Sequence, residues 1–313
     1  RSVGADLVLA SDPDADRIAA AVPDRRTGAW IPLSGNQVAA LLAHYIIMKQ
    51  APTSGRVPVA SAPRSGKAIS APFVLKTLVT TDMITRIADA HGVKTIGDLP
   101  VGFKWIGQAI DDHGPESFLF GAEESLGYLV GTYARDKDAA VAALLLAELA
   151  AEVKAVGKTM LDHLDELHCR YGFHIERAVS KSRPGREGAA EIAKIMQAFR
   201  TAPPVKMAGM CVARVSDFVS GEIRRPAAGQ AVTQLIGQRQ QQVMYEFDRP
   251  GWRLVARPSG TEPKIKFYLF GVVEPSHLKS AAALADAKQE AAAAMDRLAA
   301  DLESFSDRAA GYT

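Results

Sequence analysis

The feature that most constrains this chain is an alternation, over its first 120 residues, between short apolar runs and longer stretches with room for a helix. Asp6–Ala10, Ile18–Val22, Trp30-Ile31, Val57–Ala60, Phe73–Val79, Val93–Ile96 and Ser117–Phe120 read as strands. Such runs are short, and most are rich in residues that suit a buried sheet; Asp6–Ala10 is expected to be buried. Between them, helices are expected from Ser34 to about Lys49, from Thr81-Asp82 to about Ala90, and from Phe103 to Asp111. Thr81 and Asp82 offer side-chain oxygens to the open amides of a helix start, and Gly92 stands where a left-handed residue ends a helix cheaply. Strand–helix alternation at this spacing predicts an α/β layered domain.

The pattern continues through a long Ala/Leu-rich helix from Asp136 to about Lys154, with Asp136 as a cap, and a second helix from Met160 to Tyr171. After Gly172 it changes. A strand (His174–Ser180), a helix (Glu187–Phe199) and several strands between Gly209 and Val272 precede an Ala-rich helix from Pro275 to about Phe305. Leu278, Leu284, Met295 and Leu298 suit one packed face of that helix. This second half reads as a smaller α+β domain, with the boundary near residues 155 to 172. The length of 313 residues suits about two domains. A net charge of +2, from 37 basic and 35 acidic residues, excludes a dedicated nucleic-acid binder. No charge-free apolar run approaches the roughly 18 residues of a membrane span. Cys169 and Cys211 are too few for a disulfide framework and fit a reducing, cytoplasmic compartment. The chain starts at Arg1, without an initiator Met and close to a strand, which suggests a portion of a longer protein.

Four polar segments carry chemistry. In Asp12-Pro-Asp14-Ala-Asp16-Arg17, three carboxylates alternate in a tight loop and can converge on a hard cation such as Mg²⁺. The plain alternative is a solvated acidic turn. An EF-hand is excluded, because Arg17 stands at the sixth position and Pro23 at the twelfth. A phosphatase-type nucleophile, with Asp12 and Asp14 as the pair, is a further reading. Gly121-Ala-Glu123-Glu-Ser125-Leu-Gly127 follows a strand, and its carboxylates and hydroxyl can grip sugar hydroxyls; a turn entering a helix looks similar. Arg135-Asp-Lys137-Asp138 opens the long helix, where charges usually form a solvated face, although Lys137 can offer a cation to a phosphate. Arg257-Pro-Ser259-Gly260-Thr261-Glu-Pro-Lys264 lies between two strands. Its hydroxyls, its permissive glycine and its guanidinium fork make a phosphate cradle, and Lys264 and Lys266 add positive potential.

Taken in order with Val101-Gly-Phe-Lys104-Trp105, these segments resemble the α-D-phosphohexomutase superfamily, the phosphoglucomutase/phosphomannomutase enzymes. The resemblance covers nearly the whole chain. It implies an α/β/α layered domain with a mixed sheet, followed by a smaller α+β C-terminal domain. Residues 1–33 would end a second α/β domain and carry the metal loop. Residues 34–155 would be the third domain, and 170–313 the fourth. The resemblance implies Mg²⁺ at Asp12, Asp14 and Asp16, with Arg17 beside it. Glu123 and Ser125 would recognise the sugar, and Arg257, Ser259, Gly260 and Thr261 the phosphate that is not being transferred. Lys137 and Lys104 would handle charge or protons in the cleft.

The family reaction interconverts hexose 1-phosphate and 6-phosphate through a bisphosphate, using a phosphoserine in a Ser-His-Asn-Pro-like loop. No such loop occurs here. The Ser276-His277 pair is followed by Leu278-Lys279 and reads as the start of the last helix, with Ser276 as its cap. The catalytic serine is therefore expected outside this chain, in N-terminal domains of the same protein, and the chain by itself is expected to be inactive. Its partners would be hexose phosphate and hexose bisphosphate, with neither nucleic acid nor membrane. The competing readings are a non-catalytic sugar-phosphate-binding fragment and an Mg²⁺-dependent phosphatase using Asp12. The segments do not separate glucose from mannose or pentose phosphate. His113 suits a helix C-terminus, and His163 and His168 are expected on a helix surface.

Overall fold

A computed structural model describes residues 4–50, 71–226, 233–234, 239–260 and 262–312. The run expected as a strand at Val57–Ala60 lies outside them. The chain divides into two compact units, Arg1–Tyr171 and Gly172–Thr313. Among the described residues, no helix is long and apolar enough to cross a membrane.

The first unit opens with β1 (Val8–Ser11), β2 (Ile18–Pro23) and β3 (Trp30–Leu33), an antiparallel three-stranded sheet in that order. β1 is not buried as expected. It is an edge strand with Val8 46% exposed, and β2 between its neighbours carries the buried Ile18, Ala20 and Val22. α1 (Gly35–Gln50) follows. Its start is a capping box: Gln37 N donates to Ser34 Oγ, and Ser34 N donates to Gln37 Oε1. Val38, Leu41, Leu42, Ile46 and Ile47 on α1 are buried, each contributing about 1.5–3 kcal/mol relative to exposure.

Then come β4 (Phe73–Thr77), α2 (Met83–Ala90), β5 (Lys94–Leu99), α3 (Phe103–His113), β6 (Phe118–Glu123), β7 (Gly127–Val130), α4 (Ala139–Ala155) and α5 (Met160–Tyr171). The four strands order as β5-β4-β6-β7, with β4 parallel to β5 and β6, and β7 antiparallel to β6. This is a mixed sheet between two helical layers. On β4, Val74 joins a core shared with α1, α2, α4 and α5, whereas Phe73 and Leu75 join a core with α3. Period-two alternation on a strand buried on both faces accounts for this split. Met160, Leu164, Leu167 and Tyr171 of α5 lie in the first of these cores. α5 therefore packs in the same compact unit as residues 1–33 and 34–155.

Several expected caps are corrected. Thr81 Oγ1 accepts from Met83 N, but Asp82 has helical dihedrals and makes no cap bond; its carboxylate pairs with Lys76 at 2.9 Å. The N-cap of α4 is Asp138, not Asp136. His168 is buried at 3% exposure, contrary to its expected surface position.

In the second unit, β8 (Phe173–Ser182), α6 (Gly185–Thr201), β9 (Lys206–Met207), β10 (Met210–Asp217), β11 (Glu222–Arg224), β12 (Thr233–Gln234), β13 (Val243–Phe247), β14 (Arg253–Pro258), β15 (Lys264–Val273) and α7 (Ala281–Ala310) follow in order. The antiparallel sheet runs β12-β11-β10-β13-β14-β15-β8, with β9 beside β10. α6 and α7 pack on it through Phe199, which meets Phe305 at 4.9 Å, Tyr245 at 5.4 Å and Phe267 at 5.6 Å. Leu278, Leu284, Met295 and Leu298 are all buried. Ser276 lies in a separate 3-10 turn, Pro275–His277, and the cap of α7 is Ser280, whose side chain accepts from Ala283 N.

Candidate active site

The loop between β1 and β2 holds Asp12, Asp14, Asp16 and Arg17. Asp12 Oδ1 accepts the N–H groups of Asp16 and Arg17, each at 3.2 Å, so this carboxylate organises its own loop. Partial desolvation pushes the Asp12 pKa up, but the Arg17 N–H and then the Asp16 side chain and N–H outweigh it and hold the group below the usual value. Ala15 takes a left-handed φ of 54°, which turns the chain between Asp14 and Asp16. Asp14 is exposed, and Asp16 is half-buried.

This loop docks on the β6–β7 turn. Ile18 N donates to Leu126 O at 3.1 Å, Arg17 bridges Gly127, and Ala139 N at the start of α4 donates to Ala15 O. Leu126 is left-handed, with φ 68°. Glu123, at the end of β6, is 5% exposed, and its Oε1 accepts from Gly102 N at 2.7 Å. Burial raises its pKa, with the Gly102 N–H and the Lys137 charge opposing. Ser125, at the tip of the turn, is exposed.

Lys137 ties the pieces together. Its ammonium lies 3.0 Å from Asp16 Oδ2 and 2.7 Å from Asp136 Oδ1, and 5.3 Å from the centre of the Phe103 ring. Burial opposes its charge, but the hydrogen bonds it donates to Asp136 and Asp16 prevail, and its pKa lies above the ordinary lysine value. Lys137 is thus a fixed cation at neutral pH. Lys104, on the first turn of α3, is exposed and stacks over the Trp105 ring at 5.0 Å. Lys76 escaped the sequence reading. It is 3% exposed and donates to Thr80 O and Gly97 O as well as pairing with Asp82, so it braces the strand ends that lead into the Val101–Trp105 segment. Its signal was only a lysine inside an otherwise apolar strand.

For Mg²⁺, the chemistry of the donors is suitable: three carboxylates supply hard oxygens, and Asp16 Oδ1 is buried without a hydrogen-bond partner. The three do not converge, however. Among the described residues, no group of three His, Cys, Asp or Glu side chains is gathered for a metal.

In the second unit, Arg257 and Pro258 end β14, and Lys264 starts β15. Ser259 N donates to Lys264 O at 2.8 Å, closing the loop between them, and Arg257 pairs across the strands with Lys266. Lys264 forms an ion pair with Glu262, which lowers the Glu262 pKa. Gly260 is exposed with open space around it. Thr261 lies outside the described residues. The structure thus brings Asp12, Asp16, Arg17, Glu123 and Lys137 together in one unit, and Arg257, Ser259 and Gly260 together in the other.

Residues 34–171 match the family model described as phosphoglucomutase/phosphomannomutase, alpha/beta/alpha domain III. The chain is 34% identical over 266 residues to the "Probable phosphomannomutase" of Haemophilus influenzae, covering 85% of this chain and 46% of that protein. It is 32% identical over 268 residues to a phosphoglucomutase of Staphylococcus aureus, covering 85% and 44%. The chain therefore spans about half the length of the curated relatives it matches. Its fold is similar to that of the phosphoglucomutase pp63/parafusin of Paramecium, with a TM-score of 0.57 at 19% identity over 96% of this chain and 46% of that one. A phosphoglucomutase/phosphomannomutase family protein of Burkholderia thailandensis gives 0.54 at 14% identity over 100% and 49%. The α/β/α architecture of the first unit agrees with the match of residues 34–171 to domain III of the phosphoglucomutase/phosphomannomutase family, and the chain is similar to such proteins over 85% of its length.

Proposed function

We propose that this chain is the part of a hexose-phosphate mutase that holds the metal loop, the sugar-recognition turn and a distal phosphate clamp. The observation that carries the reading is the docking of the Asp12–Arg17 loop on the Glu123–Gly127 turn, with Lys137 joined to Asp16 across it. A metal loop, a sugar-binding carboxylate and a fixed cation then share one surface, as phosphoryl transfer requires.

In this reading Asp12, Asp14 and Asp16 are the carboxylates that would hold Mg²⁺, and the ion, when bound, would supply charge neutralisation for a phosphoryl group. The phosphoserine that donates and recovers that group comes from a part of the protein outside these residues. Lys137, paired with Asp16 and Asp136, offers positive charge to the phosphoryl oxygens, and Arg17 adds a second cation beside it. Lys104 offers an exposed ammonium to the substrate. Glu123, with one oxygen held by Gly102 N–H, and Ser125 orient the sugar hydroxyls. Arg257, Ser259, Gly260 and Thr261 hold the far phosphate. A clamp of this kind allows either phosphate of the bisphosphate to be gripped while the other reacts, and its binding energy helps to orient the reacting end.

The test uses the 313-residue chain with glucose 1-phosphate, glucose 1,6-bisphosphate and Mg²⁺. The bisphosphate should bind calorimetrically, and Asp14→Asn should weaken Mg²⁺ binding. Neither glucose 6-phosphate nor inorganic phosphate should form. Mutase turnover would remove the claim of an external phosphoserine. Phosphate release lost in Asp12→Asn would replace the reading with a phosphatase. Absence of bisphosphate binding would sink the clamp.

A further inference from the structure

The loop assigned to the phosphate clamp is held from outside by one residue that no motif includes. Arg183 follows the last residue of β8, and its N–H donates to Pro263 O at 2.8 Å, prolonging the β8–β15 ladder into the loop. Its carbonyl is covered by the first turn of α6, where a Cβ on Gly188 would lie 2.0 Å from Arg183 O. Its guanidinium reaches two helices. Nε lies 2.9 Å from Glu191 Oε2 on α6, and one terminal nitrogen donates to Asp307 Oδ1 at 3.3 Å near the end of α7. The Tyr312 ring lies 5.5 Å beneath the guanidinium, and the Tyr312 hydroxyl donates to Glu191 at 2.9 Å. Lys181 also donates to Asp307, at 2.8 Å.

We infer that Arg183 is a positioning residue for the Glu262–Lys264 end of the phosphate loop, locked in place by Glu191, Asp307 and Tyr312. The physical reason is that a loop between two strands is ordered only as far as its main chain is hydrogen-bonded. Ser259 N–Lys264 O closes the loop internally, and Arg183 N–Pro263 O ties it to a third strand. The second tie is as rigid as Arg183 itself. The side-chain network removes the freedom Arg183 would otherwise have at the end of β8. An ordered loop meets an anionic phosphate without a further ordering cost, and a loose one loses affinity by that amount. Arg183 does not need to touch the ligand to set how tightly it is held.

The inference rests on the clamp reading, so the experiment separates the two. In the full chain, hydrogen exchange is followed over the segment around Lys264 while glucose 1,6-bisphosphate is titrated by calorimetry. Arg183→Ala should speed exchange at Glu262 and Lys264 and weaken bisphosphate binding by roughly tenfold. Arg183→Lys, which retains one charged contact, should restore part of both. Asp307→Asn should act in the same direction with the Glu191 pair intact, and it serves as the test if Arg183→Ala does not fold. Unchanged exchange in a folded Arg183→Ala chain overturns the positioning role. Faster exchange with unchanged affinity overturns the link from loop order to binding. If the unaltered chain binds no bisphosphate, the clamp reading falls, and the exchange data still decide whether Arg183 positions the loop.

Discussion

At the scale of single residues, two glycines show how the site is assembled. A Cβ on Gly35 would lie 1.9 Å from the main-chain oxygen of Glu124, which has nowhere to go because the β6–β7 turn is hydrogen-bonded to the loop beneath it. A Cβ on Gly127 would lie 2.1 Å from Cδ of Lys137, part of a flexible stem. Gly35→Ala should therefore cost about 1–3 kcal/mol by overpacking against backbone, and Gly127→Ala less. The smaller cost hides a larger local effect. Lys137 must leave its path, and its ion pair with Asp16 goes with it. Urea unfolding of the two variants tests the ordering. A double-mutant cycle tests the second point: Asp16→Asn should matter less in the Gly127→Ala background than alone. Equal costs for the two glycines, or an undiminished Asp16→Asn effect, would contradict this account.

At the scale of elements, the start of α4 is the informative case, because two aspartates flank Lys137 and either can cap. Asp138 does so: its backbone is extended, at φ −134° and ψ 108°, and its Oδ1 accepts from Ala140 N and Val141 N. Asp136 is occupied with Lys137. Asp138→Ala should cost about 0.5–2 kcal/mol by leaving helix amides open, whereas Asp136→Ala should leave helix stability nearly unchanged. Thermal unfolding of both variants would reverse the assignment if Asp136→Ala proved the more damaging. The same case shows what the sequence makes legible. Hydrophobic spacing located α1, α3, α4, α5 and most strands to within a few residues, since burial periodicity is written locally. The choice among neighbouring cap candidates was not, because it depends on backbone angles and on distant partners. Asp82 turns to Lys76, and Ser276 yields to Ser280 once a 3-10 turn intervenes. In the site, the motif residues were readable, but the bracing of their loops by Lys76 and Gly102 was not, since each acts through a hydrogen bond between segments far apart in sequence.

At the scale of the whole molecule, acid should destabilise the chain in two stages, because stability integrates every pKa that folding moves. The first stage belongs to histidines packed between α1, α2 and α5. His44 lies 5.6 Å from His163, 5.9 Å from Tyr171 and 6.3 Å from His91, ring centre to ring centre. His91 shares a 2.9 Å hydrogen bond with the Tyr171 hydroxyl, and Arg170 adds positive charge, against which Glu166 stands near His163 with Lys158 as its partner. Burial first, then the charges of His163, His91 and Arg170, lowers the His44 pKa from 6.5 to about 4; burial also lowers those of His91 and His163. The folded state thus prefers the neutral rings. Above the unfolded value these groups cost nothing. As pH falls from 6.5 toward 4, the unfolded chain takes up protons that the folded chain refuses, and stability declines. The second stage belongs to carboxylates held below their usual values, Asp24, Asp138, Glu152 and Asp162 among them, whose contribution is lost only at lower pH as they protonate. Urea midpoints measured from pH 7.5 to 3 should fall through both windows. His44→Leu should flatten the slope between 6.5 and 4 while leaving the slope below it in place, and an unchanged upper slope in that variant would show that the histidine cluster is not its source.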